Sequence, residues 1–429
     1  MSSPFDTSTW LESFDALGSS GMHLEGRVWG YLHGLMTIEP LTAPTSIVIV
    51  ADPHTARWRV SSAWQKSIRR GYVAQACLYA RTYVSLDLEA FWRRLPVIAI
   101  EDIGIANPTL VFAIMWIAGK KAKRASLATE MQWADRLTAL MAQSVKDRTC
   151  CDLVVCAESD PDLAGFRARA FSSDKPGGLS VYVRDPENNL AKRLIALWAL
   201  GGTKRYRGGG DLPEKQAGHD LEFDAYLTEQ PFPHRWMAMQ GGNKTQDAMP
   251  LAWGLLHANA VAAGDTCLVE GKPMLHLKIH ETALPSHTMI HGLPSYALDM
   301  HTGLGKKALG FMAAKCNPIR QFLEYDCGIT DYEAKRDTLG GIMFRVDSAL
   351  LDRRLEFSDS EAVYDLCETA RWRYRGIPIE MLDKARELAT ANLPWLDYAR
   401  RHVAGLTSPS EKPPVPTFVG PITHPKWVA

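Results

Sequence analysis

The sequence predicts a mainly α-helical protein, in which a helical bundle is followed by a second mostly helical region with a few short strands. Two observations favour helices: apolar residues recur at spacings of three and four over much of the chain, and capping residues stand where these patterns begin. A third observation favours short strands. The run from Ser46 to Ala51 is apolar and β-branched, which is typical of a strand or of a buried connector.

The domain organisation follows from length and from breaks in the pattern. A chain of 429 residues is long enough for two or three domains with a sizeable core. Proline and glycine interrupt the helical patterns and suggest where domains end. The predicted parts are an N-terminal extension at 1–60, a helical domain at 61–200, a flexible glycine-rich linker at 201–220, a second mainly helical region at 221–405 and a proline-rich tail at 406–429.

The most informative stretch is 61–108, where three short helices are closed by strong signals. Ser61 and Ser62 are suitable N-caps for a helix at 63–70, and Gly71 can adopt the left-handed conformation that ends it. A second amphipathic helix starts at Tyr72.

Asp87 caps the third helix of this stretch, and Gly104 ends it. Pro96 lies inside this helix and is expected to kink it, because proline lacks an amide donor. Asn107 and Pro108 then combine a capping side chain with a proline at the first helical position, which predicts a fourth helix. Further helices are predicted at 127–145, 151–171, 189–200, 247–263, 306–325, 360–373 and 380–400.

These residues carry a resemblance to a known family. The matching strings are Ser62-Ala63, Lys66 to Arg69, Ala76 to Arg81, Arg93-Arg94-Leu95 and the motif from Ala99 to Pro108, AIEDIGIANP. They resemble the C-terminal helical region of the replication-associated recombination protein A (RarA/MgsA) family of AAA+ ATPases, over about residues 61–150. The resemblance implies an oligomerisation module similar to the collar of clamp loaders. It also implies action at stalled replication forks and association with single-stranded DNA-binding protein.

The ATPase domain of that family is missing from this sequence. The chain contains no GxxxxGK[ST] phosphate-binding loop, and the 60 residues before the matching region are too few for an AAA+ domain. Of its glycine-rich stretches, Gly201–Gly210 lacks the lysine and hydroxyl pair, and Gly303–Lys307 is followed by Ala308. ATP hydrolysis is therefore not expected, and no cofactor is predicted. Asn107 stands where the family usually has an acidic residue, and either side chain caps a helix.

Charge and composition place the chain among ordinary globular proteins. Its 48 basic and 48 acidic residues cancel, so any nucleic-acid contact must come from local basic patches. The N-terminal residues do not have the pattern of a secretory signal, and no apolar run is long enough to span a bilayer, so a cytoplasmic location without membrane contact is expected. The eight cysteines show no CxxC spacing and are expected to be reduced.

Two sets of basic residues are candidates for binding. The cluster from Lys120 to Arg124, KKAKR, either compensates the dipole at a helix C-terminus or contacts phosphates. In the last third, Arg371, Arg373 and Arg375 alternate with aromatic residues, which is typical of base stacking and equally of arginines around a buried aromatic pair. The predicted DNA- or partner-binding residues are Lys66, Arg69, Arg70, Arg93 and Arg94.

A histidine-rich segment, 257–301, carries the alternative hypothesis of a metal-dependent enzyme. It contains six of the thirteen histidines, but prolines interrupt it and no HExxH signature is present. The HxxxH spacing therefore has no meaning as a helical zinc motif, and no metal ligand is assigned. The histidines are His257, His276, His280, His287, His291 and His301. At the end of this segment, Tyr296–Ala308 is a candidate small-molecule or phosphate site, and the alternative interpretation is that Thr302 caps the next helix.

The acidic pair Glu101 and Asp102 has two interpretations. Paired carboxylates can serve as general acid and base. Arg94 lies seven residues before Glu101, two turns along one helix face, where the resemblance implies structural ion pairing or inter-subunit contact. With Gly104 they are interpreted as a structural motif, and no catalytic residue is assigned. Three functional hypotheses remain: a non-catalytic accessory or adaptor protein of DNA replication, repair or mobile-element maintenance that forms a homo-oligomer, a metal-dependent enzyme, and a structural or interaction protein unrelated to DNA.

Overall fold

A computed structural model describes residues 21–37, 53–172, 177–208, 212, 215–264 and 278–419. Several sequence predictions fall outside this description. They are the candidate strand Ser46–Ala51, His276, the end of the tail after residue 419, and the side chains of Arg371 and Arg373.

The described residues belong to two compact units. Unit 1 comprises Met1–Ile47, Ser67–Ala283 and Leu351–Ala370, and unit 2 comprises Val48–Lys66, Leu284–Leu350 and Arg371–Ala429. The domain boundaries derived from the sequence stay predictions. The prediction of a mainly helical fold with a few short strands is confirmed.

Unit 1 is built from helices with one small sheet. Its main helices are Gly21–Thr37, Val73–Leu86, Leu88–Ile98, Pro108–Ala118, Lys121–Leu127, Glu130–Gln143, Thr149–Ser159, Ala164–Ala170, Leu179–Arg184, Leu190–Gly201, Asp220–Thr228, Phe232–Trp236, Gly242–Thr245 and Met249–Ala262. π-helical turns follow two of them, at Ala99–Ile103 and Met237–Gly241, and short 3-10 turns occupy Gly104–Ala106 and Pro161–Leu163. Helices Pro53–Arg69 and Ser360–Tyr374 contribute residues to both units.

The prediction that Ser61 and Ser62 cap a helix at 63–70 is wrong, because both lie inside helix Pro53–Arg69, which already begins at Pro53, and the Ser62 hydroxyl donates to the Ala297 carbonyl instead. The next two predicted caps of the informative stretch are present. The Asp87 side chain accepts a hydrogen bond from the Ala90 amide, and the Asn107 side chain accepts one from the Leu110 amide, with Pro108 at the first helical position. The helix with Pro96 changes to a π-helical turn at Ala99. In the next helix every residue from Pro108 to Ile117 is buried, so this helix forms the centre of the unit 1 core.

The sheet of unit 1 joins distant parts of the chain. Strands Lys278–Glu281 and Arg353–Glu356 pair in antiparallel fashion, with Lys278 opposite Glu356. Lys146 forms a parallel bridge to the second strand, because its amide donates to the Arg353 carbonyl and its carbonyl accepts from the Leu355 amide. The loop at 144–148 is therefore fixed in position, and the next residues open helix Thr149–Ser159.

Unit 2 packs its helices around a single apolar cluster. The helices are Gly303–Lys315, Asn317–Gln321, Tyr332–Met343, Leu382–Ala391 and Leu393–Val403, with π-helical turns at Phe322–Asp326 and Phe344–Ser348 and 3-10 turns at Ser295–Ala297 and Ile379–Met381. Strands Met289–Ile290 and Leu293–Pro294 form a hairpin. Met312, Leu323, Leu339, Ala389 and Leu396 are among the residues of the core.

Candidate functional site

Glu101 and Asp102 lie at the centre of a buried ion-pair cluster in unit 1. Arg69 binds both of them: its Nε lies 2.6 Å from Asp102 Oδ1 and its Nη2 lies 2.6 Å from Glu101 Oε1. Arg148 Nη1 lies 2.5 Å from Asp102 Oδ1 and 3.0 Å from Glu101 Oε1. We call these four residues the arginine–carboxylate cluster.

Burial gives the arginine–carboxylate cluster a structural role. The Asp102 side chain is fully buried, and that of Glu101 is 14% exposed. Burial alone would lower the pKa of Arg148, but Cys151 and the two carboxylates outweigh it and hold this pKa well above its usual value. Arg69 and Arg148 are matched by Asp102 and Glu101 in a largely buried site, so removal of Asp102 leaves buried positive charge without its nearest partner. The cluster joins the end of helix Pro53–Arg69, the π-helical turn and the start of helix Thr149–Ser159.

Position 104 requires glycine, both because of its backbone conformation and because of the atoms packed against it. Its φ is +52°, and a Cβ atom would collide with the Asp147 side chain and carbonyl oxygen. The Asp147 carboxylate accepts hydrogen bonds from the amides of Ile105 and Thr149, at 3.1 and 2.9 Å. Burial raises the pKa of Asp147. The motif therefore closes against the 146–149 segment through backbone contacts as well as through charges.

The predicted binding residues have different environments. Lys66 belongs to unit 2, where its ammonium is buried 2.6 Å from Asp299 Oδ2. Arg69 is part of the arginine–carboxylate cluster, and Arg70 is only 2% exposed. The side chains of these three residues are buried, so they do not present their charges to solvent. Arg93 and Arg94 are accessible, with side chains 64% and 38% exposed.

Of the two contacts that the resemblance implies for Arg94 and Glu101, the structure contains the ion pair. The Arg94 Nη2 atom lies 3.9 Å from Glu101 Oε2. Arg93 pairs with Glu89, one turn earlier on the same exposed helix face, at 3.4 Å. Both residues therefore remain candidates for partner contact, and both have carboxylates that compete for their charge.

A second group of cations in unit 1 faces solvent. Lys120 and Lys123 are 31% and 46% exposed in their side chains, and Lys121 between them is exposed. Lys244, on a separate helix, joins them because its ammonium lies directly against Gly119. Burial, and then the neighbouring Lys120 and Arg124, lower the pKa of Lys244. We call Lys120, Lys121, Lys123 and Lys244 the lysine surface.

Aromatic rings and one carboxylate position the lysine surface. The Lys120 ammonium lies 4.5 Å from the centroid of the Trp116 ring, and Lys123 lies 5.0 Å from the same centroid. Glu25 accepts from both lysines, at 2.9 and 3.5 Å. The hydrogen bond from Lys120 is the largest cause of the lowered pKa of Glu25.

Arg124, the last residue of the KKAKR cluster, has a structural role. Its Nη1 donates to the carbonyls of Ile117 and Ala118, at 3.1 and 2.8 Å, which satisfies the C-terminus of helix Pro108–Ala118. For this residue the prediction of helix-end compensation is confirmed. Lys244 was not indicated by the sequence, because a single lysine 120 residues from the cluster carries no pattern.

The histidine-rich segment is dispersed. His280 lies on strand Lys278–Glu281 and contacts Glu356, and in unit 2 His291 contacts the Ala404 carbonyl and His301 packs against Phe344. In the part of the chain that the structure describes, no three His, Cys, Asp or Glu side chains form a group that could hold a metal ion. The expectation that the segment is not helical is confirmed for its described residues from 278 to 301.

His257 belongs instead to a buried pair with His234 in unit 1. The Nε2 atom of His234 lies 2.8 Å from His257 Nδ1, and the His257 ring stacks on Trp253. Burial lowers the pKa of His234 to about 3 and that of His257 to about 4. Both rings are therefore neutral at physiological pH, and their place in the core is that of uncharged polar groups.

The candidate small-molecule or phosphate site at Tyr296–Ala308 is filled by its own chain. The Thr302 hydroxyl accepts from the Gly305 amide and caps helix Gly303–Lys315, as one interpretation of the sequence predicts. Asp299 packs so closely that a Cβ at Gly305 would collide with its backbone. The Asp299 carboxylate already neutralises Lys66. This helix start is a structural element.

Comparisons with protein-family models, with curated proteins and with solved structures find no match to this chain. The relationship to the RarA family accordingly stays a prediction. No helix in the described ranges has the length and apolar character needed to cross a bilayer.

Proposed function

We propose that the protein is a non-catalytic accessory protein of DNA replication, repair or mobile-element maintenance, which binds nucleic acid through the lysine surface. The observation that carries this proposal is the convergence of Lys120, Lys121 and Lys123 with Lys244 from a distant helix. Among the ion pairs of the described residues, the lysine surface has one carboxylate, Glu25, which contacts Lys120 and Lys123. A local excess of ammonium groups is the usual phosphate-binding surface of a chain with no net charge.

The lysine surface supports phosphate contact more than base reading. Trp116 is 3% exposed, so this ring positions ammonium groups and does not offer a stacking platform. Lysine is a flexible point charge without the bidentate geometry that reads base edges. The proposal therefore predicts binding with little sequence preference and a strong dependence on salt.

The proposal includes the oligomerisation and the association with single-stranded DNA-binding protein that the resemblance implies. A cytoplasmic homo-oligomer that engages single-stranded DNA-binding protein would present the lysine surface several times, which raises avidity without new contacts. Arg93 and Arg94 are the accessible members of the predicted set and are the residues on which partner contact would depend.

The experiment compares two triple variants in fluorescence anisotropy with labelled single-stranded and duplex DNA. In the first, Lys120, Lys121 and Lys123 are each changed to Gln. In the matched control, the exposed unit 2 lysines Lys306, Lys307 and Lys315 are changed in the same way. We expect the first variant to lose affinity and to lower the slope of log K against log salt by about 2 to 3, since each phosphate contact contributes roughly 0.7 to 0.9.

Glu25→Gln provides a test in the opposite direction. It removes the carboxylate that holds Lys120 and Lys123, so DNA affinity should rise. Equal loss of affinity in both triple variants, or no DNA binding by the unmodified protein, would contradict the proposal. Light scattering, and pull-down with single-stranded DNA-binding protein before and after Arg93→Gln and Arg94→Gln, test the assembly part separately.

A further inference from the structure

The chain after the last helix is held against unit 2 in a defined register. Helix Leu393–Val403 ends near Gly405, which has a φ of +73°. The segment up to residue 419 has neither helix nor strand structure. Two polar anchors and one apolar anchor fix it to the unit, and each anchor recognises a different chemical group.

The first anchor is the Asn392 side chain, which recognises peptide backbone. Its Nδ2 donates to the Thr417 carbonyl at 2.8 Å, and its Oδ1 accepts from the Thr417 amide at 2.9 Å. Asn392 is 2% exposed with the segment in place, and its Nδ2 also donates to the Leu388 carbonyl, a contact that does not involve the segment. Any residue except proline can make this pair of bonds, because only backbone atoms take part.

The second anchor recognises a carboxylate. Arg401 Nη2 lies 2.7 Å from Glu411 Oε1, and the Tyr398 hydroxyl donates to the Glu411 carbonyl at 3.4 Å. Asp397 lies 3.7 Å from Arg401 and orients it without closing it to solvent. The third anchor is the apolar core of unit 2, against which the Val419 side chain of the segment packs.

Between the anchors the segment is rich in proline and mostly exposed, with Pro414 and Pro416 half-buried. Residues 412–416 read Lys-Pro-Pro-Val-Pro, and Val415 is 92% exposed. Three prolines restrict the free segment and lower the entropy lost when it binds. The site therefore contacts the two ends of the segment, and the prolines set the distance between them.

We propose that Asn392, Tyr398 and Arg401 form a binding site for an extended, proline-containing peptide with an acidic residue six positions before the residue whose backbone Asn392 holds. The chain's own residues 411–419 occupy this site and close it to a segment of the same chemistry on a partner protein. This inference is independent of DNA binding by unit 1. Because the tethered segment acts at an effective concentration of roughly millimolar order, a partner binds only when the cis segment is weakened or outcompeted.

Thr417→Pro tests the proposal. Proline removes the amide that Asn392 Oδ1 accepts from, so the cis segment is weakened while every residue of the site is retained. The probe is a labelled synthetic peptide with the sequence of residues 408–419, titrated against the full-length chain in fluorescence anisotropy. We expect the Thr417→Pro variant to bind this peptide at least about tenfold more tightly than the unmodified protein. Thr417→Ala keeps the amide and is the matched control, which should stay closed.

Two further variants keep the outcome decisive. Glu411→Gln removes the ion pair between the cis segment and Arg401 and should also open the site. It provides the same test if the Thr417→Pro chain does not fold. In the Thr417→Pro background, Arg401→Glu should abolish binding of the native peptide and restore it for a peptide with lysine at the Glu411 position. No peptide binding by either opened variant, or binding that Arg401→Glu leaves unchanged, would overturn the proposal.

Discussion

The arginine–carboxylate cluster and the lysine surface are two cationic regions of the same unit with opposite relations to water. Arg69 and Arg148 are buried and matched by carboxylates at 2.5 to 3.0 Å. Lys120 and Lys123 are partly exposed and share a single carboxylate, Glu25. A buried and balanced charge serves the fold, whereas a partly exposed excess is available to a ligand. The two regions differ in how deeply their cations are buried and in how many carboxylates pair with them. Neither property can be inferred from the presence of basic residues in the sequence.

The largest expected effect is a loss of stability when the buried arginine–carboxylate cluster loses one carboxylate. Asp102→Asn keeps the shape of the side chain but leaves Arg69 and Arg148 with half of their counter-charge inside the core. Loss of one partner from a buried pair costs about 3 to 5 kcal/mol, so the urea midpoint should fall sharply. The control is Glu89→Gln, which removes the exposed pair with Arg93 and should change stability by less than about 1 kcal/mol. Similar midpoints for the two variants would show that the cluster does not stabilise unit 1.

A somewhat smaller loss is expected from Gly104→Ala. The backbone at φ +52° disfavours alanine, and its Cβ would collide with Asp147, so we expect destabilisation of at least about 2 kcal/mol. Gly254→Ala is the matched control in the same unit, because a Cβ there meets His234 at an ordinary 3.7 Å and the position is helical. That change should be neutral or stabilising by up to about 1 kcal/mol. Thermal unfolding of both variants makes the comparison.

A pH-dependent effect comes from the buried histidine pair. The folded-state pKa of His234 is about 3, below its ordinary 6.5, so its contribution to stability is present above pH 6.5 and is lost as the pH falls toward 3. Each pH unit in that window costs up to about 1.4 kcal/mol per histidine. Burial raises the pKa of Asp247 to about 7, so protonation of Asp247 increases stability as the pH falls and opposes the histidine effect. The test therefore compares the pH dependence of stability in a variant with that in the unmodified protein. His234→Gln should flatten the loss of stability between pH 7 and pH 5, and the exposed His33→Gln serves as control.

The smallest effect on stability is expected at the lysine surface. The Gln triple variant of Lys120, Lys121 and Lys123 should unfold within about 1 kcal/mol of the unmodified protein, because partly exposed ion pairs contribute little. A large loss of stability with unchanged DNA affinity would reverse the comparison and assign these lysines to the fold. Circular dichroism during urea titration and the anisotropy assay together decide between the two roles.

Local structure was predictable wherever neighbouring residues decide it. The caps at Asp87, Asn107 and Thr302 and the left-handed Gly71 follow from side-chain reach and backbone sterics over three or four residues. The pairing of Arg94 with Glu101 was one of two contacts that the resemblance implied, and the structure contains it. The predicted helix at 189–200 is present as Leu190–Gly201 for the same reason.

Long-range partners were not predictable from the same patterns. Arg148 reaches Asp102 across 46 residues, Lys244 joins Lys120, and Asn392 holds the backbone of Thr417. The histidines at 257–301 looked like a group because they are close in sequence, yet His257 pairs with His234, and His280, His287, His291 and His301 each have a different partner.

The amino-acid sequence by itself determined the helical class and the helix starts capped by Asp87, Asn107 and Thr302, because these depend on periodicity and on contacts within a turn or two. It did not determine the start of helix Pro53–Arg69, since Ser61 and Ser62 lie inside that helix. Only the tertiary structure decided which charges are buried and balanced and which face a ligand, because burial and pairing depend on residues far apart in the chain. That distinction separates Arg69 from Lys120, and it gives the 411–419 segment its site on unit 2.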